Sequence, residues 1–148
     1  MKNKQLSDYP LHVNLQTRWR DLDAFGHVNN AVFATYIETA RGTLFKRWNL
    51  PYDGTGQSLI VASITIDYYQ QLKHPTDIVV GQKISRIGTS SFDVESSLFN
   101  SKDNLKPIAT AKVVIVCFDF NQQKSVPVFK QIIKDFKSIG YKVDYKVL

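Results

Sequence analysis

Two carboxylates, a histidine and a pair of asparagines fall within the segment DLDAFGHVNN, which runs from Asp21 to Asn30. A carboxylate can activate water or attack a carbonyl carbon directly, and an imidazole can assist by moving a proton. Apolar residues then recur close to a helical period, at Phe33, Tyr36, Ile37, Ala40, Leu44 and Trp48. The segment therefore leads into a predicted helix, whose unpaired N–H groups can hold a developing negative charge.

The predicted helix has recognisable limits. An asparagine side chain can accept a hydrogen bond from the first turn of a helix, so Asn29 or Asn30 is the expected cap. Pro51 cannot continue the helix, which we expect to end near Trp48. Gly26 lies in the polar turn before the helix, where a positive φ or a close backbone approach is expected.

A sheet is predicted to support this helix. Leu11–Trp19 alternates polar and apolar residues, as a strand does. Four later segments rich in β-branched and aromatic residues predict further strands, at 58–69, 78–87, 91–99 and 108–118. The last of them is apolar at almost every position through 113–118, which predicts burial on both faces. These patterns predict one α+β domain over residues 1–148, with the helix lying across a largely antiparallel sheet.

The C-terminal part predicts two smaller elements. Residues 127–137 carry apolar residues at helical spacing, with Pro127 at a favourable first position and Gly140 as the stop. The tail 141–147 alternates polar and apolar residues and could add an edge strand.

Composition limits the classes of function. The net charge of +6 favours anionic partners, but the lysines are scattered and no nucleic-acid-binding motif is present. No apolar run is long enough to span a bilayer, and the polar N-terminus is not expected to be a signal peptide. The single cysteine, Cys117, excludes an intramolecular disulfide framework and favours a cytoplasmic location. We therefore expect neither nucleic-acid binding nor membrane insertion.

The order of elements and the segment DLDAFGHVNN resemble the hotdog-fold thioesterases of the 4-hydroxybenzoyl-CoA thioesterase type, from about Leu11 to Phe136. The matching residues are Asp21, Asp23, Gly26, His27, Asn29, Asn30, Tyr36, Glu38, Ala40 and Arg41. The pattern D-x-D-x-x-x-H-x-N-N is also similar to plant-type acyl carrier protein thioesterases. Those enzymes usually carry an asparagine at the position of Phe25, so a mechanism that needs a second amide there is not expected.

The resemblance implies a fold, an assembly and an activity. The implied hotdog fold has a five-stranded antiparallel sheet, in the order 1-3-4-5-2, wrapped around one long central helix, with a short C-terminal helix. The implied assembly is a homodimer joined sheet edge to sheet edge, often doubled to a homotetramer, with active sites at the subunit interface. The implied activity is hydrolysis of acyl-CoA thioesters without a cofactor.

The resemblance also assigns catalytic roles. Asp23 matches the catalytic carboxylate of the family, as general base or nucleophile. His27 either assists as a base and orients the thioester, or ties the turn together through hydrogen bonds. The backbone N–H groups around Asn30 and Ala31 are the expected oxyanion hole.

Further residues are expected to contact the substrate: Phe25, Asn29, Tyr36, Glu38, Tyr68, Arg86, Ser90 and Ser91. Phe25, Tyr36 and Tyr68 would line an apolar acyl pocket. Ser90 and Ser91 would bond the pantetheine amides, or are ordinary turn and strand serines. Arg86, with Lys73 and Lys83, could bind the coenzyme A phosphates, or is solvated surface.

Other polar residues favour structural roles. Asp21 is expected to pair with Arg18 or Arg20, or with amides of the turn. Glu38 is expected to pair with Arg41 at i+3, although some hotdog enzymes use a helix carboxylate in catalysis. His12 and His74 have no partner at ligand spacing, and no metal site is predicted.

Four functions are compatible with these residues. The first is an acyl-CoA thioesterase, and the second is the same reaction on acyl carrier protein. The third is a hydratase or dehydratase on the same fold, which the D-x-D pattern disfavours. The fourth is a non-catalytic acyl-CoA-binding module, because a fold alone never proves an activity.

Overall fold

The computed structural model describes residues 3–138 and the backbone of residues 146–147. The helices are α1 (Asn30–Arg47) and α2 (Lys130–Ser138), and short 3₁₀ turns cover Leu6–Asp8 and Trp19–Asp21. The strands are β1 (Leu11–Gln16), β2 (Gln57–Tyr68), β3 (Asp77–Ile87), β4 (Ser91–Asn100), β5 (Ala109–Asp119), β6 (Lys124–Ser125) and β7 (Lys146–Val147).

One sheet contains all the strands, in the order β2-β5-β4-β3-β1-β7, with β6 paired to β5. The five long strands therefore follow the expected 1-3-4-5-2 order, and their pairings are antiparallel. The short β7 runs parallel to β1, which confirms an edge strand at Lys146–Val147. The rest of the predicted tail strand and Gly140 lie outside the described residues.

Helix α1 lies across one face of the sheet, as its apolar period predicts. The predicted stripe is buried, and Ile37 and Ala40 have no exposed surface. It packs in one core with inward-facing residues of the central strands, such as Val80, Val94 and Val113. The helix is fixed at its start by Asn29, whose side chain accepts from the Ala31 N–H at 2.9 Å. This confirms the predicted cap.

The prediction that β5 is buried on both faces is wrong. In β5 the residues Val113, Ile115 and Cys117 are buried, but their neighbours Val114 and Val116 are only half-buried. The strand thus alternates, because α1 covers only one face of the sheet. β2 is an edge strand, and its apolar residues Ile60, Val61, Ile64 and Tyr68 are each 41 to 45% exposed.

Helix α2 is joined to the end of α1 by a buried carboxylate. Asp135 accepts from the Trp48 indole N–H at 2.7 Å and from Arg47 Nε and Nη2, each at 2.7 Å. The helix begins at Lys130, so Pro127 lies three residues before it and not at its first position as predicted. The interior face is confirmed by the buried Ile132.

Asp135→Ala is expected to lower the free energy of unfolding by about 2 kcal/mol, because it leaves the buried Trp48 N–H without its acceptor. Urea unfolding followed by tryptophan fluorescence measures this loss. Asp103→Ala, at an exposed loop carboxylate, is the matched control and should stay within about 0.5 kcal/mol of wild type. Equal effects in the two variants would contradict the anchoring role of Asp135.

Candidate active site

The polar turn before α1 is built around the carboxylate of Asp21, which is 2% exposed. This carboxylate accepts from the Arg18 N–H at 2.9 Å, from Arg18 Nε at 3.1 Å and from the Tyr36 hydroxyl. Burial opposes its ionisation, but the Arg18 and Tyr36 hydrogen bonds outweigh burial and hold the Asp21 pKa below its usual value. The structural interpretation of Asp21 is confirmed, with Arg18 as the partner.

Asp23 lies at the top of the same turn and is half-buried. Its Oδ1 accepts from the Phe25 N–H at 2.8 Å, and its backbone N–H donates to the His27 carbonyl at 2.9 Å. Gly26 closes the turn with φ of +77°, which confirms the positive φ expected there. The carboxylate is thus held in one place by backbone contacts while it stays accessible.

His27 is half-buried, and its backbone helps to fix Asp23. Within the described part of the chain, no hydrogen bond joins the His27 ring to the Asp23 carboxylate. The next residue, Val28, donates its N–H to the Leu72 carbonyl at 2.7 Å, which attaches the turn to the segment after β2. Among the described residues the His27 ring makes no hydrogen bond, so only its backbone ties the turn together, and its role as an assisting base stays a prediction.

The start of α1 offers one open donor where two were expected. The Ala31 N–H donates to Asn29 Oδ1, so the helix cap already occupies it. The Asn30 N–H has no acceptor among the described residues. The Tyr68 hydroxyl donates to the Asn30 carbonyl at 3.0 Å, and the Tyr68 ring meets Phe33 edge-on with centroids 5.2 Å apart. Tyr68 therefore lies beside the helix N-terminus, and its role in an acyl pocket stays a prediction.

The three other predicted substrate contacts on this side of the sheet differ in exposure and in distance from the turn. Phe25 is at the tip of the turn with 85% of its surface exposed, next to Asp23. Tyr36 is 4% exposed and donates to Asp21, which favours a supporting role over a direct substrate contact. Glu38 lies eight residues beyond Asn30, or about 12 Å along the helix axis.

Arg86, Ser90 and Ser91 lie at the opposite end of the sheet. Ser91 is paired with Val116 of β5, whereas Tyr68 is paired with Ala109, seven residues along the same strand. At about 3.4 Å per residue, the two levels are roughly 24 Å apart. Arg86 is bonded there to Asp93 at 2.9 Å and to Ser91 Oγ at 3.0 Å. One protomer does not bring the two groups of predicted residues together.

Contacts near the turn include a pair that the sequence did not reveal. Thr17 Oγ1 lies 2.8 Å from His74 Nδ1, and the His74 ring lies edge-on to Trp19, with centroids 6.3 Å apart. Trp19 is 77% exposed. The partners are 57 residues apart in sequence, and only the β1–β3 pairing brings them together. An aromatic surface thus adjoins the turn, close to Lys73.

A separate cleft of about 220 Å³ opens between α1 and β2, lined by Glu38, Arg41, Gly42, Phe45, Tyr52, Leu59, Ile60, Val61 and Ile115. The predicted Glu38–Arg41 ion pair is not formed within the described residues. Arg41 is 9% exposed, while Glu38 is exposed to solvent.

Comparison with known proteins identifies the family. Residues 17–136 match the model of the Thioesterase-like superfamily. The chain belongs to this superfamily. The Arabidopsis thaliana acyl-acyl carrier protein thioesterase ATL3, chloroplastic, is 31% identical over 128 residues, covering 84% of this chain and 66% of that protein. The chain thus spans just under two thirds of that relative's length.

Solved structures of the superfamily share the fold of this chain. The PA5185 protein of Pseudomonas aeruginosa superposes with a TM-score of 0.83 and 26% identity, covering 91% of this chain and 94% of that one. A thioesterase from Thermus thermophilus, complexed with coenzyme A and zinc, gives a TM-score of 0.75 at 28% identity, covering 91% and 98%. These matches confirm the hotdog fold.

The described residues contain no group of three or more His, Cys, Asp or Glu side chains placed to hold a metal ion. None of the helices in the same residues combines the length and apolar character needed to cross a membrane.

Proposed function

We propose that this member of the superfamily hydrolyses acyl thioesters, with Asp23 as the reacting carboxylate. The observation that carries the proposal is the half-buried Asp23, whose carboxylate the Phe25 N–H fixes in the turn that leads into α1. Either Asp23 takes a proton from water as the water oxygen attacks the thioester carbon, or its own oxygen attacks that carbon. In both routes the C–S bond breaks and the sulfur leaves as thiolate, which is then protonated. With Asp23 as base, the attacking water becomes part of the released acid. With Asp23 as nucleophile, an acyl–Asp23 anhydride forms first, and a water molecule then hydrolyses it to release the acid and restore the carboxylate.

The negative charge on the thioester oxygen needs a donor, and the Asn30 N–H is the one that the helix cap leaves open. The partial positive charge at the start of α1 adds to it. Ala31 would contribute only if the Asn29 side chain released its N–H. We therefore propose the Asn30 N–H as the main donor of the oxyanion hole. The Ala31 N–H becomes a second donor only when its hydrogen bond to Asn29 Oδ1 breaks.

We propose further that the working unit is a homodimer joined through β2. The side of β2 that faces away from β5 has no strand partner among the described residues, and apolar side chains lie along it. A two-fold axis through β2 reverses the partner's sheet, so the partner's Ser91 end would lie at the Asp23 end of the first subunit. Such a dimer would reunite the two separated groups of predicted substrate contacts. A homotetramer would double this dimer.

The acyl carrier is a second part of the proposal. Coenzyme A is our first choice, supported by the coenzyme A complex of the Thermus thermophilus neighbour and by the net charge of +6. Acyl carrier protein is the second candidate, supported by the name of the ATL3 relative. The exposed Trp19 and the cationic Arg20 and Lys73 surround the turn and could meet either carrier. The acyl group of the 4-hydroxybenzoyl-CoA type is one member of the substrate panel.

The test compares one acyl group on two carriers. Release of free thiol is measured for matched acyl-CoA and acyl-acyl carrier protein substrates, with short, long and aromatic acyl groups. We expect turnover of acyl-CoA with kcat/KM at least tenfold above that of the matched protein-bound substrate. A reversed ratio would make acyl carrier protein the substrate. Binding of acyl-CoA without hydrolysis of any thioester would leave a non-catalytic binding module.

We propose a cytoplasmic location for this protein. Cys117 is buried, and burial raises the pKa of its thiol to about 11, so it is held in its unreactive form. A chain that relies on no disulfide suits the reducing cytoplasm, where acyl thioesters are made and used.

A further inference from the structure

The cleft between α1 and β2 contains the guanidinium group of Arg41, which forms no ion pair with any carboxylate among the described residues. Glu38, Arg41, Gly42 and Phe45 follow each other at intervals of three, one and three residues, so they form one stripe of α1 that faces the cleft. Arg41 is nine-tenths buried, and its Nη1 is removed from water with no acceptor among the described residues. A guanidinium nitrogen that is buried without an acceptor destabilises the folded chain.

Among the described residues, Glu38 is the one acidic side chain that lines the cleft, and it does not reach Arg41 within its own helix. Burial lowers the pKa of Arg41, and the charge of Glu38 acts in the opposite direction from a distance. The two residues therefore present a carboxylate and a guanidinium on one stripe of α1, each without a hydrogen-bond or ion-pair partner among the described residues.

The floor of the cleft is formed by the edge strand β2. Leu59, Ile60 and Val61 line it, and they belong to β2, whose outer edge carries no strand among the described residues. Ile60 and Val61 are each 42% exposed. At Gly42 the Tyr52 hydroxyl lies 3.9 Å from where a Cβ would be, so the Tyr52 side chain packs against α1 at this level. The cleft and the edge therefore form one apolar surface with a charged pair at its centre.

We propose that a second copy of this chain closes the cleft, and that Glu38 of each subunit pairs with Arg41 of the partner subunit. A two-fold interface places residue i against j and j against i. With the two α1 helices antiparallel and the axis level with residues 39–40, Glu38 faces Arg41 of the partner subunit twice. Both guanidinium groups then gain an acceptor, and the surface is complementary to itself in charge. The pairing rests on the proposed dimer and does not depend on hydrolysis.

Mixing two charge-reversed variants tests the pairing. E38R carries two positive charges on the stripe and R41E carries two negative charges, so each homodimer brings like charges together. We expect each variant alone to dimerise at least tenfold more weakly than wild type, measured by analytical ultracentrifugation. Mixed in equal amounts, the two should form a heterodimer, seen by native mass spectrometry, with near-wild-type affinity. Circular dichroism of each variant checks that the fold is intact.

The mixture separates pairing between subunits from pairing within one helix. In the heterodimer every contact across the interface joins opposite charges, but the two residues of each single helix carry like charges. A wild-type dimer with no preference for the heterodimer on mixing would therefore overturn the ion pair. If the wild-type protein stays monomeric at high concentration, the proposed dimer is overturned. Thioester hydrolysis is measured in a separate assay, and its absence would count against the proposed activity and not against the ion pair. If R41E does not fold alone, co-expression with tagged E38R replaces mixing, and absence of co-purification counts against the proposal.

Discussion

Asp23→Asn is expected to lower kcat for thioester hydrolysis by at least about 100-fold, the size of effect usual for losing a positioned base. The amide can neither attack the thioester carbon as an anion nor accept a proton from water. Its oxygen can still accept from the Phe25 N–H, which Asp23 Oδ1 does at 2.8 Å in the wild type. The turn and the start of α1 should therefore keep their geometry. The measurement is thiol release under single-turnover and steady-state conditions on the best substrate of the panel.

Stability and binding controls decide how this result is interpreted. The free energy of unfolding of Asp23→Asn should stay within about 0.5 kcal/mol of wild type, since Asp23 is half-buried and its backbone contact is retained. KM should change less than kcat, because the carboxylate acts mainly in the transition state. Glu38→Gln and His27→Ala are the matched variants. Hydrolysis that survives Asp23→Asn but is lost in one of these would move the reacting group to that residue.

The sequence predicted the central helix because its signals are local. The spacing of Phe33, Ile37 and Leu44 follows the helical period, and the cap at Asn29 is a contact between residues two apart. The strand order came from the resemblance to a family, since no local pattern determines which strands pair. The Asp21–Arg18 contact and the positive φ of Gly26 were predicted correctly because both are local. Arg18 lies three residues before Asp21, and φ is a property of a single residue.

What the sequence did not predict depends on neighbours far along the chain. The exposure of Ile60 and Val116 follows from which faces and edges the other elements cover, and alternation does not encode that coverage. The distance between Tyr68 and Ser91 follows from strand register. The sequence also did not reveal that the helix cap and the oxyanion hole need the same donor. The Asn29 side chain that caps α1 already accepts from the Ala31 N–H. These properties require the assembled sheet.

Asp21→Ala is expected to have the largest effect on stability, lowering the free energy of unfolding by about 3 kcal/mol. The substitution removes the acceptor of the buried Tyr36 hydroxyl and of the Arg18 backbone N–H, which together fix the turn on α1. Arg18 itself is 46% exposed and can be rehydrated, so its loss of an ion pair adds little. Urea unfolding gives the loss. Tyr36→Phe removes one hydrogen bond and should cost about 1 kcal/mol.

The Asp21 carboxylate should also make the free energy of unfolding fall at acid pH. The folded-state pKa of Asp21 lies below its usual value of 3.8, so above that value the ionised form contributes its full stabilisation. As the pH falls from 3.8 through the lower folded-state pKa, the native carboxylate becomes protonated and that contribution is lost. The stability difference between wild type and Asp21→Asn should therefore be constant at neutral pH and shrink below about pH 4. A difference that stayed unchanged down to pH 2 would show that Asp21 acts through its shape and not its charge. Because Asp23 shares the turn but not these side-chain contacts, Asp21→Asn should lose stability and Asp23→Asn should lose catalysis.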